Sequence, residues 1–240
     1  MPSDPNSVDF LLRIAFTIIL LITQLLLSVY LLNKILNKKK DTGTIKFDFL
    51  FSVFILLICL SISLLLFAHL NFNLTHFNPN EYHLYPFVFI WKLASLISLI
   101  GFTLVLHVIG KEVFEFKFKG VLAYIILLVA IIQFLWPVSE PEDFEFITML
   151  GLVGNIVAVI MTIIFFNMGK RNPGLRLACY LIALGVFVYA IGSALLVETI
   201  VIQLEIVFGT EIRVFLYGLS LSLNSMGLIL AIYGVVKFSI

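Results

Sequence analysis

Four uncharged polar side chains stand alone inside long apolar stretches of this 240-residue chain: Gln24, Asn155, Tyr189 and Asn224. An isolated polar group in such surroundings needs a hydrogen-bonding partner or a function, because no water is present to satisfy it. Counted at 1.5 Å per helical residue from the charged residue that bounds one particular end of each stretch, all four would lie about 13–17 Å from the same end of their helices. We expect them to share one level, either as helix-to-helix hydrogen bonds or as the polar floor of a ligand site.

Lys92 is the only charged residue deep within an apolar stretch, six residues past Pro86. A lysine at that depth can extend its ammonium group to the membrane interface, or it can pair with an acid. Glu198 is the first candidate for this acid, and Glu81 and Glu205 are alternatives. Lys92 and Glu198 therefore complete the candidate ligand site.

The remaining reactive residue types do not form a catalytic or metal-binding pattern. His69, His76 and His83 are near one another in sequence, but no pair has the close helical spacing of metal ligands. Cys59 and Cys179 lie in apolar runs, where cysteine is typically a small buried side chain. No nucleophilic side chain is expected at the same depth in the bundle as a side chain that could act as its base. We predict no enzymatic activity, no catalytic residue, no metal site and no cofactor.

The elements that position these residues are membrane helices. Apolar residues make up 62% of the chain and charged residues 12%, whereas soluble domains carry about 25% charged residues. A helix needs about 20 apolar residues to cross a bilayer. The sequence predicts an all-α, single-domain bundle of seven transmembrane helices within residues 1–240. The helices are expected near 10–36, 47–70, 86–109, 120–137, 146–169, 175–198 and 211–237, the sixth extending to 207 if the stretch 199–212 is helix rather than strand.

Basic residues indicate how the bundle is oriented. Of the 15 Lys and Arg residues, 12 follow the first, third, fifth and seventh helices, and such residues collect on the cytoplasmic side. We expect an exterior N-terminus, a cytoplasmic C-terminus and a multi-pass protein of the cell membrane. The longest exterior loop is then 71–85, which contains a glycosylation pattern at Asn73. The 12 residues are Lys34, Lys38, Lys39, Lys40, Lys46, Lys111, Lys117, Lys119, Lys170, Arg171, Arg176 and Lys237.

Small residues recur on one face of the last helix at spacings of four, three, four and three. This pattern is typical of a face on which a neighbouring helix backbone approaches closely. Glycines in the fifth and sixth helices extend the same theme. The residues are Ser220, Asn224, Gly227, Ala231 and Gly234, with Gly151, Gly154, Gly185 and Gly192 on the other two helices.

The seven-helix layout with an exterior N-terminus is similar to that of microbial rhodopsins and G-protein-coupled receptors, although in topology only. Rhodopsins carry a lysine in the middle of the seventh helix for retinal, whereas here 219–230 reads LSLSLNSMGLIL, so we expect no retinal. The DRY and NPxxY patterns of the receptors and the GxSG motif of rhomboid proteases are missing. SWEET sugar carriers depend on prolines within helices, but all seven prolines here lie outside or at the ends of the apolar runs.

These observations favour a membrane sensor or receptor-like protein without its own output domain that binds a small amphiphilic ligand from the outer side. A small-solute transporter or channel is the alternative. The expected partners are the lipid bilayer, a cytoplasmic protein that contacts the basic loops, and further copies of the chain. Nucleic acid is not an expected partner, because the basic residues do not form one large patch.

Overall fold

The computed structural model describes residues 7–44, 46–112, 120–209 and 212–239, and these residues form helices without any β-strand. A π-helical turn, His69–Leu74, follows the second α-helix, and short 3-10 turns occur at Pro79–Glu81 and Pro173–Leu175. The α-helices are α1 (Val8–Thr42), α2 (Phe49–Ala68), α3 (Phe87–Glu112), α4 (Val121–Leu135), α5 (Pro141–Arg171), α6 (Arg176–Ala194), α7 (Glu198–Phe208) and α8 (Ile212–Ser239).

Six of these helices are long and apolar enough to cross a membrane, which indicates a multi-pass membrane protein. They are α1, α2 with its π-helical turn, α3, α5, α6 and α8. α4 has only 15 residues. At 1.5 Å per residue it extends about 22 Å, less than the roughly 30 Å of a hydrocarbon core. The helix expected at 120–137 is therefore shorter than predicted, because Gly120 precedes it and the backbone leaves the helix at Trp136, ahead of Pro137.

Polar side chains explain why α1 and α5 begin earlier than their apolar runs. Ser7 accepts a hydrogen bond from the Phe10 amide at the start of α1, at 3.2 Å. At the start of α5 the Asp143 carboxylate accepts the backbone N–H of Glu140, at 3.2 Å. Such caps satisfy N–H groups that have no partner within the helix. The helices accordingly start at Val8 and Pro141 rather than at the expected residues 10 and 146.

Seven helices form a ring in which α1 to α6 follow one another and α8 closes the ring against α1. We call the end that holds Phe10 and Phe72, whose rings lie 5.4 Å apart, the upper end. The opposite, lower end holds the ion pair between Lys38 Nζ and Asp48 Oδ2, at 2.7 Å. The remaining helix, α7, connects α6 to α8 at the upper end. Because both α1 and α8 start at the upper end, these two neighbours run in the same direction.

Apolar side chains fill the lower half of the bundle. Phe49 from α2, Phe165 from α5 and Phe238 from α8 form an aromatic cluster with ring centroids 5.9–6.4 Å apart. Above this cluster Leu31 of α1 is fully buried and Ile232 of α8 is 1% exposed. Aromatic and aliphatic side chains at this density exclude water and dominate core energetics. The lower half of the bundle is therefore closed by apolar surface.

α6 and α8 approach each other so closely that both need glycine at the contact. A β-carbon on Gly227 would lie 2.6 Å from the Tyr189 amide nitrogen and 2.7 Å from the Gly185 carbonyl oxygen. The Ser220 hydroxyl adds a hydrogen bond across the same contact, to the Gly192 carbonyl oxygen at 2.6 Å. The small-residue face predicted on the last helix is thus confirmed as a packing face.

The same prediction is wrong for α5. A β-carbon on Gly154 would meet no atom within 4 Å, and one on Gly151 would lie 3.9 Å from Gln133 Nε2, an ordinary contact distance. No backbone approaches α5 at these glycines, so their small size is not used for close helix packing.

The stretch 199–212 contains a helix rather than a strand, but this helix does not continue α6. α6 ends at Ala194, and Val197 adopts an extended backbone before α7 begins at Glu198. The expected extension of the sixth helix to 207 is therefore wrong. The Val197 amide still donates to the Ala194 carbonyl oxygen at 3.1 Å, so the break keeps this backbone group paired without polar side chains. α7 ends at Gly209, whose φ of 84° allows the sharp turn toward α8.

Candidate functional site

One face of α1 points into the bundle, and it changes from polar to apolar along its length. The buried residues recur every three or four positions, which is the period of one helix face. Polar members occur in the upper two thirds and apolar members alone in the lower third. From the upper end they are Phe10, Arg13, Thr17, Leu20, Gln24, Ser28, Leu31 and Ile35.

A hydrogen-bonded pair of hydroxyl groups joins this face to α8. Thr17 Oγ1 and Tyr217 Oη lie 2.9 Å apart. The Thr17 hydroxyl also lies 2.8 Å from the Arg13 carbonyl oxygen. Beside this pair, the Phe16 ring packs against Gly218, where a β-carbon would be 2.8 Å from the ring. The contacts set the register between the two parallel helices.

The register brings Gln24 and Asn224 to one level. Each lies seven residues below its member of the Thr17–Tyr217 pair, about 10 Å deeper along the helix. Gln24 is 3% exposed and Asn224 is 7% exposed. Gln24 Oε1 and Asn224 Oδ1 are both buried without a hydrogen-bond partner. Two acceptors in the upper half of an apolar bundle therefore lack the donors that buried polar groups normally have.

Asn155 lies on α5, across α6 from Asn224, and Tyr189 belongs to α6 itself. Asn155 Oδ1 accepts a hydrogen bond from the Ser193 hydroxyl at 2.7 Å, which links α5 to α6. Asn224 Oδ1 lies against Gly192, the residue next to Ser193, so the two asparagines share a level on either side of α6. The Tyr189 ring is near the Phe102 ring, with centroids 6.0 Å apart. Asn155 is therefore satisfied by a neighbouring helix, whereas Gln24 and Asn224 keep unsatisfied oxygens. The role of the four as ligand contacts stays a prediction.

Lys92 takes a partner that the sequence did not suggest. Its ammonium donates to the carbonyl oxygen of Trp136, at the C-terminal end of α4. A cation is favourable there, because the last carbonyl groups of a helix have no partners within the helix and carry partial negative charge. The alternative acids are bound elsewhere: Glu81 accepts from Asn78 Nδ2 at 2.7 Å, and Glu205 pairs with Arg213. The Glu198 side chain lies outside the described residues, so its pairing with Lys92 stays a prediction.

Arg213 anchors the short helix α7 to α8. Its Nη2 donates to Glu205 Oε2 at 2.7 Å, and its Nε donates to Oε1, so the guanidinium holds the carboxylate with two hydrogen bonds. This bonding lowers the pKa of Glu205 below its ordinary value of 4.5. The pair therefore carries its full charge at neutral pH.

Gln133 of α4 is a buried amide whose oxygen and nitrogen both form hydrogen bonds to neighbouring helices. Its Oε1 accepts from the Ser95 hydroxyl at 2.8 Å, and its Nε2 donates to the Ile147 carbonyl oxygen at 2.7 Å. These bonds join α3, α4 and α5 at one point. Gln133 stands alone in an apolar run, as Gln24 does, so its sequence context could have indicated this junction.

Arg13 is a buried residue that the sequence pattern did not single out. It is 9% exposed, and its Nε is buried without a hydrogen-bond partner. The guanidinium carbon lies 4.4 Å from the centroid of the Phe77 ring and 5.8 Å from that of Tyr217. The signal in the sequence was its position on the same helical face as Phe10 and Thr17, three and four residues away.

From the upper end downward, the inner face of α1 carries the Arg13 cation, the Thr17 hydroxyl bonded to Tyr217, and then Gln24, whose amide oxygen has no partner. Among the described residues no group of three His, Cys, Asp or Glu side chains could hold a metal ion. The side chains on this face can form hydrogen bonds and recognise charge. Comparison with models of protein families, with curated proteins and with solved structures gives no match.

Proposed function

We propose that the chain is a seven-helix membrane sensor or receptor-like protein that binds a small amphiphilic ligand from the outer side. The observation that carries this proposal is the pair of buried amide oxygens, Gln24 Oε1 and Asn224 Oδ1, which lie at one level without hydrogen-bond partners. A buried acceptor without a donor costs about 1–3 kcal/mol. A ligand hydroxyl or N–H group would remove that cost on binding.

The proposed topology has α4 as the seventh membrane span and the upper end outside the cell. α4 is apolar apart from Gln133, with a mean hydropathy comparable to that of α2, and it lies in the ring between α3 and α5. Lys92 of α3 donates to the Trp136 carbonyl at the upper end of α4, as an interfacial lysine would. The basic residues at the lower end, such as Lys39 and Lys170, favour a cytoplasmic location for that end of the bundle.

The apolar lower half favours sensing over transport. The polar residues on the inner face of α1 end at Ser28, whose hydroxyl donates to the Gln24 carbonyl oxygen at 2.8 Å. Below that level the inner faces of α1 and α8 present Leu31 and Ile232, which are almost fully buried. A ligand that entered from above would meet apolar packing before it reached the other side. In the proposed function, ligand binding is passed to a cytoplasmic partner through the basic lower surface.

A small-solute transporter or channel is the second candidate. It is favoured by the same polar face, since Arg13, Thr17 and Gln24 extend from the upper end about halfway through α1. This function would require the lower half to open in another conformation, for which the helices offer no internal proline as a hinge.

Reaction of introduced cysteines with a small impermeant thiol reagent tests the proposal. In a background that carries Cys59→Ser and Cys179→Ala, we expect Gln24→Cys and Asn224→Cys to react when a methanethiosulfonate reagent is added outside intact cells. Leu31→Cys and Ile232→Cys are the matched controls, because they lie on the same two helices about two turns deeper and are buried in apolar surroundings.

The outcomes separate the two candidates. Reaction at the upper pair without reaction at the controls supports a site that is open outward and closed below. Reaction at Leu31→Cys from outside would favour a transport path. If neither upper cysteine reacts, the amide level is not accessible and the ligand-site proposal is wrong.

A further inference from the structure

The upper end of the bundle holds a buried cation, Arg13, that no acid among the described residues neutralises. Arg13 forms no ion pair with any carboxylate in the described part of the chain, and it is 9% exposed. Its neighbour Asp9 is exposed, one turn earlier on α1, and acts on Arg13 only through space. Buried charges in proteins are normally paired, because removal of a charge from water is costly. Arg13 is therefore an exception that needs an explanation.

The aromatic neighbours explain only part of it. Phe77 and Tyr217 place the faces of their rings toward the guanidinium, with centroids 4.4 and 5.8 Å from its central carbon. Such contacts stabilise the charge through the faces of the group. They do not involve the in-plane N–H donors, and one of these, the Nε–H, is buried without an acceptor. An acceptor in the plane of the guanidinium is the missing partner.

The cover over Arg13 is built from a conformationally unusual segment. His76 and Phe77 both have positive φ, 45° and 60°, which is uncommon for residues with side chains. Phe77 is held by edge-on contacts with Phe10 and Phe72, at 6.3 and 5.0 Å between centroids. Residues held in such conformations by surrounding packing cluster at ligand clamps. His76 Nδ1 is another buried polar atom without a partner in this segment.

The wider electrostatic surroundings are also mixed rather than acidic. Arg213 acts on Arg13 with like charge, whereas Tyr82, Tyr217 and the exposed Asp9 act in the opposite sense. Arg213 itself is bonded to Glu205, so its own charge is already compensated. The positive charge of Arg13 therefore stays uncompensated by the described residues, and a negative group beside it would stabilise it.

We propose that Arg13 binds an oxyanion, a carboxylate or a phosphate, that forms the head group of an amphiphilic ligand. The Nε–H and one Nη–H of a guanidinium can bind two oxygens side by side, which matches the planar fork of these anions. The inference rests on the proposed function in one respect. The ligand whose charged head group binds Arg13 is the same ligand whose hydroxyl or N–H group binds at Gln24 and Asn224. The sources of the anion are a free amphiphilic acid, an anionic membrane lipid or a soluble phosphate.

Thermal unfolding of the purified full chain in a neutral detergent tests this site, with the fluorescence of Trp91 and Trp136 as the readout. The probes are sodium decanoate, decanol as its uncharged counterpart, phosphatidylglycerol against phosphatidylcholine, and inorganic phosphate. The variants are Arg13→Met, Arg13→Lys, Gln24→Leu and, as the matched control, Arg176→Gln. Arg176 is also an arginine over a tyrosine ring, 5.5 Å from the Tyr180 centroid, but it is exposed and lies at the lower end.

We expect at least one anionic probe to raise the unfolding temperature of the wild-type protein and of Arg176→Gln in a saturable way. For Arg13→Met the apparent affinity should be at least about tenfold weaker, since hydrogen bonds to charged groups are among the strong ones. In the absence of any anion Arg13→Met should unfold at a higher temperature than the wild type, because it removes an uncompensated buried charge. A purely structural arginine would show the opposite shift.

The inference is overturned if no anionic probe stabilises the wild type, or if Arg13→Met keeps the full response. Should Arg13→Met not fold, Arg13→Lys decides: it keeps the charge but not the planar fork, so wild-type affinity in this variant also overturns the inference. Stabilisation by decanol that disappears in Gln24→Leu but not in Arg13→Met would leave the proposed function standing while this inference fails. Response to decanoate, to phosphatidylglycerol or to phosphate alone identifies the source of the anion.

Discussion

Replacement of buried amides by leucine should change stability in opposite directions at two positions of this bundle. Gln24 has a side-chain oxygen without a partner, whereas Gln133 bonds to both the Ser95 hydroxyl and the Ile147 carbonyl oxygen. The two residues are 3% and 2% exposed, so burial does not distinguish them. Leucine has nearly the volume of glutamine, so neither change creates a large cavity. Only the hydrogen bonding differs.

The magnitudes follow from that difference. Gln24→Leu removes an unsatisfied acceptor, which should raise the free energy of unfolding by about 1–3 kcal/mol. Gln133→Leu removes two hydrogen bonds, each worth about 0.6 kcal/mol in a membrane bundle, and leaves the Ser95 hydroxyl without its acceptor. We expect a loss of about 1–2 kcal/mol there. For a chain of this size, 1 kcal/mol shifts the unfolding temperature by about 2–4 °C.

The assay is thermal unfolding of both variants in one neutral detergent, after extensive washing to remove bound lipid. Asn224→Leu is a second test of the effect of removing an amide without a hydrogen-bond partner, because Asn224 Oδ1 also lacks a partner. We expect Gln24→Leu and Asn224→Leu to unfold above the wild type and Gln133→Leu below it. Equal losses at Gln24 and Gln133 would refute the reasoning, since the amide of Gln24 would then have a partner after all.

Three further predictions concern orientation, Lys92 and pH. Ser139→Cys at the upper end should react with an impermeant thiol reagent in intact cells and Asn172→Cys at the lower end should not; the reverse result would invert the topology. Lys92→Met should lower the unfolding temperature by about 2–4 °C, since the Trp136 carbonyl loses its donor. The loss should be equal in a Glu198→Gln background. A smaller loss in that background would indicate that Lys92 pairs with Glu198. The lowered pKa of Glu205 means that the stability from its bonds to Arg213 is present above pH 4.5 and is lost as the pH falls through the lowered value. The protection of α7 amides against hydrogen exchange, measured relative to the intrinsic rate at each pH, should therefore fall only at acidic pH. Glu205→Gln should abolish this dependence, and unchanged acid sensitivity in that variant would contradict the assignment.

The sequence predicts the helices well where the signal is local. Apolar runs and small-residue spacing are properties of single segments, so the packing face with Ser220 and Gly227 could be recognised without any partner in view. The break after Ala194 could not, because Leu195, Leu196 and Val197 are as apolar as the helix before them. The backbone turns there without a proline or glycine, and apolar composition does not distinguish such a turn from a continued helix.

The candidate site shows the same division between local and distant information. The common depth of Gln24 and Asn224 follows from counting along each helix. The burial of Arg13 depends on Phe77 and Tyr217, which come from a loop and a helix far away in the sequence. A charge near a helix end is usually solvated, so only the assembled bundle distinguishes a boundary arginine from an enclosed one.

Closure of the ring by α8 has a consequence for biosynthesis. α8 is synthesised after α1 to α7, yet it provides the contacts on both of its sides: Gly227 against α6, and Tyr217 against Thr17 of α1. While the ribosome is still translating this helix, the glycine face of α6 must face lipid or the insertion machinery, and the Thr17 hydroxyl must lack its partner. Nascent chains that stall before Ile212 therefore display a grooved, partly polar seam within the membrane, which is a feature that membrane proteases can use to distinguish unfinished copies from finished ones.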